Sequence, residues 1–120
     1  MPSTHALVVD ADGAILPDGP SHAEPAGFVL TRHVLDEEEL LLIGVAPGAR
    51  RRGVGTALIN HLFDAARTRG VCRIFLEMRR GNPAIRLYNK FDFEPIGERR
   101  NYYRMANGDR VDAITFARSI

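Results

Sequence analysis

Two spacings of hydrophobic residues recur along the chain, and each is typical of one kind of regular structure. Short apolar runs bounded by turn residues are typical of β-strands. They predict strands at residues 5–11, 27–34, 40–45, 72–78, 93–103 and 111–118. The third of these, LLLIGV, is apolar without interruption, so it is expected to be buried on both faces of a sheet.

Helical spacing appears in two other segments. At residues 54–69 the apolar side chains fall on one helical face, and they are Val54, Leu58, Ile59, Leu62, Phe63 and Ala66. Gly70 suits the end of this helix, and a shorter helix is predicted at residues 83–91, with Pro83 in its first turn. Residues 17–25 are predicted as a loop, the acidic residues 36–39 as a solvated turn, and Asn107-Gly108 as a hairpin turn.

The order of elements is three strands, a helix, a strand, a helix and a two-stranded hairpin. This order predicts an α/β fold around a mixed sheet. A length of 120 residues suits one domain, residues 1–120.

Composition and charge exclude several classes of function. A net charge of +1 argues against a general nucleic-acid binder. No apolar run is long enough to cross a bilayer, and the first residues do not resemble a signal peptide, so we expect a cytoplasmic protein without membrane contact. Fifteen of the sixteen basic residues are arginine, whose planar fork suits phosphate groups, although coding bias explains the composition equally well.

Cysteine and histidine residues give no sign of a metal centre. Cys72 is the only cysteine, which excludes an internal disulfide, and its place at the start of an apolar strand predicts a core thiol rather than a nucleophile. The four histidines, His5, His22, His33 and His61, lack metal-ligand spacing, so no metal is expected.

The most informative segment is residues 49–58, ARRRGVGTAL, between a predicted strand and the first predicted helix. The N–H groups of a first helical turn have no intrahelical partner and, together with the helix dipole, bind anions. Gly53 and Gly55 would let the backbone approach a phosphate closely. Positive charge and a hydroxyl are supplied by Arg50, Arg51, Arg52 and Thr56. A glycine turn with solvated arginines is the alternative interpretation.

Two other nucleotide motifs do not fit this segment. A P-loop requires lysine and then serine or threonine directly after its second glycine, whereas Gly53 is followed by Val54 and Gly55. A dinucleotide fingerprint requires a third glycine, which is absent here.

The spacing Arg50-x-x-Gly53-x-Gly55 resembles the acetyl-CoA pyrophosphate loop of the GNAT N-acetyltransferases. Residues 76–93, LEMRRGNPAIRLYNKFDF, are similar to the strand, loop and helix that follow in this family. ERRNYY at 98–103 and DAITF at 112–116 resemble the C-terminal strands of its bacterial ribosomal-protein-alanine N-acetyltransferases. The resemblance covers residues 27–116 and implies the GNAT fold.

In such enzymes acetyl-CoA, as cosubstrate, binds between two strands that splay apart, here residues 40–45 and 72–78. Asn82 resembles the family's CoA-contacting asparagine, but it stands one residue closer to Tyr88 than expected, so Gly81 is an alternative. The residues that the resemblance implies for binding are Ile43, Gly44, Val45, Arg50, Arg51, Arg52, Gly53, Val54, Gly55, Thr56 and Asn82.

The resemblance also implies two catalytic residues. Glu77 occupies the position of the family's catalytic glutamate and is the candidate general base; a strand-end pair with an arginine such as Arg79 is the alternative. Tyr88 matches the family's tyrosine and is the candidate acid for the CoA thiolate; packing on a short helix is the alternative. Tyr102 and Tyr103 would line the acceptor groove, or serve only in sheet packing.

The resemblance implies an N-acetyltransferase in which an amine attacks the thioester directly, most simply the α-amine of a protein N-terminus. Acetylation of a small amine and non-catalytic binding of acyl-CoA are the alternatives. A strand and helices that family members carry before residue 5 have no counterpart here. We therefore expect that the sequence is shortened, that a second chain supplies this wall of the acceptor site, or that acceptor binding is altered or lost. A homodimer would also protect the exposed sheet edge.

Overall fold

The computed structural model describes residues 2–17 and 23–120, which form one six-stranded sheet with two α-helices. The strands are β1 (Ser3–Val9), β2 (Gly27–Val34), β3 (Glu37–Val45), β4 (Arg73–Arg79), β5 (Glu94–Arg104) and β6 (Arg110–Ser119). The helices are α1 (Val54–Thr68) and α2 (Ile85–Lys90), and a short 3-10 helix at Pro47–Ala49 precedes α1. The predicted α/β fold with a mixed sheet is confirmed. His22 and most of the predicted loop at 17–25 lie outside the described residues.

The sheet has the order β1-β2-β3-β4-β6-β5, and its only parallel neighbours in the described part of the chain are β3 and β4. Their ladder contains three residue pairs, from Glu37↔Arg73 to Glu39↔Phe75. Beyond these pairs, within the described residues, the carboxyl halves of β3 and β4 are not paired with each other. The sheet therefore opens between the two strands that were expected to splay.

Both helices pack on one face of the sheet. All six residues predicted for the apolar face of α1 are buried, and each of its Val, Leu, Ile and Phe side chains contributes about 1.5–3 kcal/mol when it is fully buried. The Phe63 ring of α1 lies 5.7 Å from the Phe91 ring at the end of α2 and 6.1 Å from the Phe93 ring before β5. This aromatic contact fixes α2 beside α1.

The expectation that residues 40–45 are buried on both faces is wrong. Leu41 and Leu42 are 43% and 54% exposed, whereas Leu40 is buried in the core. Because both helices lie on one face, the described residues leave the opposite face of β3 open.

The acidic segment was also wrongly predicted as a solvated turn. The turn lies at residues 35–36, and residues 37–39 begin β3. Glu38 is fully buried, where its carboxylate accepts hydrogen bonds from the Thr31 hydroxyl and from the Arg69 guanidinium. A buried carboxylate requires such partners, and these come from β2 and from the end of α1.

Cys72 is not the core thiol that its sequence position suggested. It is exposed, because it precedes β4, whose first residue is Arg73. Its backbone N–H donates to the carbonyl oxygen of Asp36 at 2.7 Å, which joins the start of β4 to the turn before β3.

Candidate functional site

The turn before α1 has the backbone geometry of an anion site. Gly53 stands at the N-cap of α1 with φ of 80°, and Arg51 also has a positive φ, 63°. No described side chain caps this helix, and the first bond to its N-terminal end runs from the Ala57 N–H to the Gly53 carbonyl oxygen, at 3.0 Å. The N–H groups of Val54 to Thr56 are therefore available for an external acceptor.

A cavity of about 210 Å³ lies in front of these N–H groups. The predicted binding residues that line it are Val45, Arg50, Arg51, Gly53, Val54, Gly55 and Thr56. Ala49 and Leu87 complete the lining, and Arg52 is exposed and lies outside it. The structure thus brings seven predicted residues to one concave surface whose chemistry fits a diphosphate: helix N–H groups with guanidinium groups beside them.

The two glycines of the turn differ in whether their position requires glycine. Gly53 has no heavy atom within 4 Å of the position that a Cβ would take, so its positive φ is what requires glycine. At Gly55 a Cβ would lie 3.4 Å from the side chain of Leu87, which is ordinary van der Waals contact, so packing against α2 does not by itself require glycine there.

Lys90 belongs to this turn, although the sequence did not indicate it. Its Nζ donates a hydrogen bond to the Thr56 hydroxyl oxygen at 3.0 Å. Lys90 is the only lysine of the chain and ends α2, while Thr56 lies in the first turn of α1. The sequence shows that Lys90 lies in the last turn of a predicted helix. It does not show that Lys90 reaches Thr56, because this contact depends on how α1 and α2 pack together.

Ile43, Gly44 and Val45 lie in the part of β3 that has no pairs with β4. On their other side they pair with Val29, Phe28 and Gly27 of β2. A Cβ at Gly44 would lie 2.6 Å from the Phe28 ring, so a larger residue there would require this partly exposed ring to move. The side of β3 that faces β4 is where the family resemblance predicts that acetyl-CoA binds, and this contact stays a prediction.

Glu77 lies on the face of β4 that points away from the helices, because Leu76 and Met78 on either side of it are buried in the core. Its side chain is 21% exposed. The Arg99 Nε lies 3.4 Å from Glu77 Oε2, and the Thr115 hydroxyl donates to the same oxygen at 3.4 Å. An ion pair was foreseen as the alternative role of Glu77, but the partner is Arg99 of β5 rather than Arg79.

Tyr88 is buried on α2, where its ring lies 5.6 Å from that of Phe93. Burial raises the pKa of its phenol above the ordinary value of 10.0. The phenol therefore remains protonated at neutral pH, as a proton donor must. The same rise in pKa makes the phenol a weaker acid, so it can donate its proton to the CoA thiolate only if the oxygen and the sulfur lie within hydrogen-bond distance. The packing role is present, and the catalytic role stays a prediction.

Asn82 has a structural task of its own. Its side-chain oxygen accepts the backbone N–H of Ala84 at 3.0 Å, which shapes the turn before α2. Gly81, the alternative contact residue, has φ of 84°. The predicted contact of Asn82 with CoA stays a prediction.

Metal binding and membrane insertion would each require a specific feature in residues 2–17 and 23–120. Within them no group of three or more His, Cys, Asp or Glu side chains is arranged to hold a metal ion. In the same residues no helix has the length and hydropathy to span a membrane.

Comparison with known proteins gives concordant matches. Residues 4–93 match the family model described as the acetyltransferase (GNAT) family. The chain is 46% identical over 93 residues to the [ribosomal protein bS18]-alanine N-acetyltransferase of Salmonella typhimurium, which covers 77% of this chain and 62% of that protein. It is 45% identical over 93 residues to the Escherichia coli protein of the same name, with the same coverage. The chain thus spans 62% of the length of these curated relatives.

Solved structures are similar over more of the chain. The ribosomal-protein-S18-alanine N-acetyltransferase from Escherichia coli has a TM-score of 0.76 and 42% identity, and the match covers 84% of this chain and 65% of that one. Arabidopsis thaliana NAA60, solved in complex with a bisubstrate analogue, has a TM-score of 0.76 and 27% identity, with 98% and 75% covered.

Proposed function

Because this chain belongs to the acetyltransferase (GNAT) family, we propose that it transfers the acetyl group of acetyl-CoA to the α-amine of a protein N-terminus. The observation that carries this proposal is the unpaired gap between β3 and β4 beyond their three-pair ladder, because Val45, at the β3 end of this gap, lines the cavity at the uncapped start of α1. The similarity to enzymes named [ribosomal protein bS18]-alanine N-acetyltransferase supports the choice of a protein acceptor.

We propose that the start of α1 binds the diphosphate of acetyl-CoA. The N–H groups of residues 54–56 would donate to the phosphate oxygens, and Arg50 and Arg51 would supply charge from the rim of the cavity. Lys90 already lies against Thr56 and would add a further cation. The pantetheine arm would then follow the unpaired side of residues 43–45, much as an added strand would.

Transfer of the acetyl group requires a neutral amine and a leaving thiolate that regains a proton. About a tenth of an α-amine with pKa near 8 is neutral at pH 7, against below about 0.1% of a lysine amine with pKa near 10.4. Glu77 would accept the proton of the attacking amine, and Tyr88 would donate one to the thiolate. Each such contribution is typically worth about 10²- to 10⁴-fold in rate.

The surroundings of Glu77 favour a peptide over a small amine. Glu77 faces the open side of the sheet, and neighbouring Arg99 and Tyr102 are 62% and 50% exposed. A small amine would be held poorly on such an open surface, whereas an extended N-terminus can run across it.

A thiol-release assay tests the proposal. The protein is incubated with acetyl-CoA and peptides with different free N-termini, and the same peptides with a blocked N-terminus serve as controls. We expect CoA release and a mass gain of one acetyl group only with free N-termini. Release with lysine or polyamines alone would favour a small-amine enzyme. Tight CoA binding by calorimetry without turnover would favour a non-catalytic acyl-CoA-binding protein.

Two wider expectations stay predictions. β1 lies at the edge of the sheet, and an unprotected edge strand favours association, so light scattering at micromolar concentration would test the homodimer. Fractionation of cells would test the cytoplasmic location.

A further inference from the structure

The strand β5 carries a bulge of three residues near Glu77. Arg99 pairs with Ala113 and Tyr103 pairs with Val111, so the three residues at 100–102 lie opposite Asp112 alone. Bulges bend a strand and redirect its side chains, and they are common beside active sites. Here the bulge lies on the strand that contributes the ion-pair partner of Glu77.

The bulge is held by a specific set of polar contacts. Asp112 accepts the backbone N–H of Asn101 at 3.0 Å through one carboxylate oxygen and the Arg80 Nε at 3.2 Å through the other. The bond from Asn101 is the main reason why the pKa of Asp112 is lowered. Asn101 itself has φ of 53°, in the left-handed region. The bulge is therefore a formed structure rather than a frayed strand.

Arg99 is directed from this bulge onto the carboxylate of Glu77. Its Nε lies 3.4 Å from Glu77 Oε2, while its guanidinium carbon lies 5.0 Å from the centre of the Tyr102 ring. Tyr102 packs edge-on against Tyr103, with ring centres 5.1 Å apart. Because Glu77 is 21% exposed and Arg99 is 62% exposed, the guanidinium lies on the solvent side of the carboxylate.

We propose that Arg99 is a positioning residue that caps Glu77 until an acceptor arrives, and that the acceptor's ammonium group displaces it. This inference rests on the proposed function, in which Glu77 meets the acceptor amine. An α-amine arrives mostly as the ammonium ion at neutral pH, and a guanidinium and an ammonium compete for one carboxylate oxygen. The Tyr102 ring already lies within reach of the guanidinium and would retain this contact after the displacement, since cations are attracted to the faces of aromatic rings.

The proposal predicts a change in acceptor binding rather than in catalysis. In Arg99→Gln the acceptor no longer competes with a cation, so its KM should fall about two- to fivefold, the range expected for a partly exposed ion pair. The kcat and the KM for acetyl-CoA should change little. Arg99→Lys retains a cation and should restore an acceptor KM close to that of the unmodified protein.

Arg100→Gln is the matched control. It removes the same charge from the same bulge, but Arg100 is 84% exposed and pairs with Glu98 at 3.5 Å rather than with Glu77. We expect its acceptor KM to be unchanged. A rise in acceptor KM in Arg99→Gln, no change there, or an equal change in both variants would overturn the proposal.

A second measurement does not depend on turnover. The Arg99 Nε–H signal is followed by NMR with CoA present and acetyl-CoA absent, and Glu77→Gln provides the reference for an unpaired guanidinium. A peptide with a free N-terminus should move the signal toward this reference, whereas its N-acetylated form should not. If the peptide binds and the Arg99 Nε–H signal does not move, the proposal that the acceptor displaces Arg99 from Glu77 is wrong. Absence of turnover with every amine would overturn the proposed function alone.

Discussion

Replacing Gly53 by alanine tests the anion turn most directly. Gly53 has φ of 80°, and a Cβ there would meet no heavy atom within 4 Å. The cost therefore arises from the backbone alone, and a left-handed conformation costs an alanine about 1–2 kcal/mol. If the turn shifts to relieve this strain, the N–H groups of residues 54–56 move, and a change of 1.4 kcal/mol in binding corresponds to a tenfold change in Kd.

The experiment pairs Gly53→Ala with Gly48→Ala. Gly48 is also free of contacts within 4 Å, but it lacks a positive φ, so alanine there is unstrained and should leave stability unchanged or slightly raised. Thermal unfolding should show a lower Tm only for Gly53→Ala, and calorimetry should show weaker CoA binding only for that variant. Gly53→Asn should lose less, because asparagine adopts the left-handed region more readily. Equal effects of the two alanine variants would refute the reasoning.

Three further predictions concern other parts of the molecule. Tyr88→Phe keeps the buried ring, so we expect normal thermal stability and CoA affinity but a kcat lowered by about 10²-fold or more, and an unchanged kcat would remove Tyr88 from the mechanism. Lys90→Gln removes the cation beside Thr56; CoA binding should weaken a few-fold and become less sensitive to salt in titrations, with the acceptor KM unaffected. Burial and then the charge of Arg69 lower the pKa of His5 below 6.5, so the folded protein binds fewer protons there than the unfolded chain. Stability should therefore fall as the pH drops from about 7 through 6.5 toward the folded pKa, and His5→Gln should flatten this slope in urea unfolding measured between pH 5 and 7.5.

Local patterns in the sequence predicted the features that depend on local physics. The apolar face of α1 follows from spacing alone, since a residue every three or four positions must share a side. Gly53 was identified from its place between a strand and a helix, although its left-handed conformation, with φ of 80°, was not predicted. These parts include most of the proposed diphosphate site.

The sequence-based predictions of burial were wrong where burial depends on elements that are distant in the sequence. Leu42 is exposed because both helices pack on the other face, which no window of sequence reveals. Glu38 is buried because Arg69, thirty-one positions away, supplies its counter-charge. The pairing of Glu77 with Arg99 likewise depends on a bulge in another strand, so the sequence identified the carboxylate but not the group that controls it.

Because the β3–β4 ladder ends early, a pantetheine chain that binds in the gap would become part of the sheet. Backbone N–H groups that face this gap have no partner strand, so their hydrogens exchange readily with solvent. A pantetheine chain bound there would protect them. Amide hydrogen exchange at residues 43–45 should therefore slow when CoA binds. Because CoA would bind the folded state alone, stability should rise by about 2.7 kcal/mol at a ligand concentration one hundred times Kd. Acetyl-CoA would then join β3 to β4 where the two strands do not pair with each other, so the folded chain would be more stable at higher concentrations of its substrate.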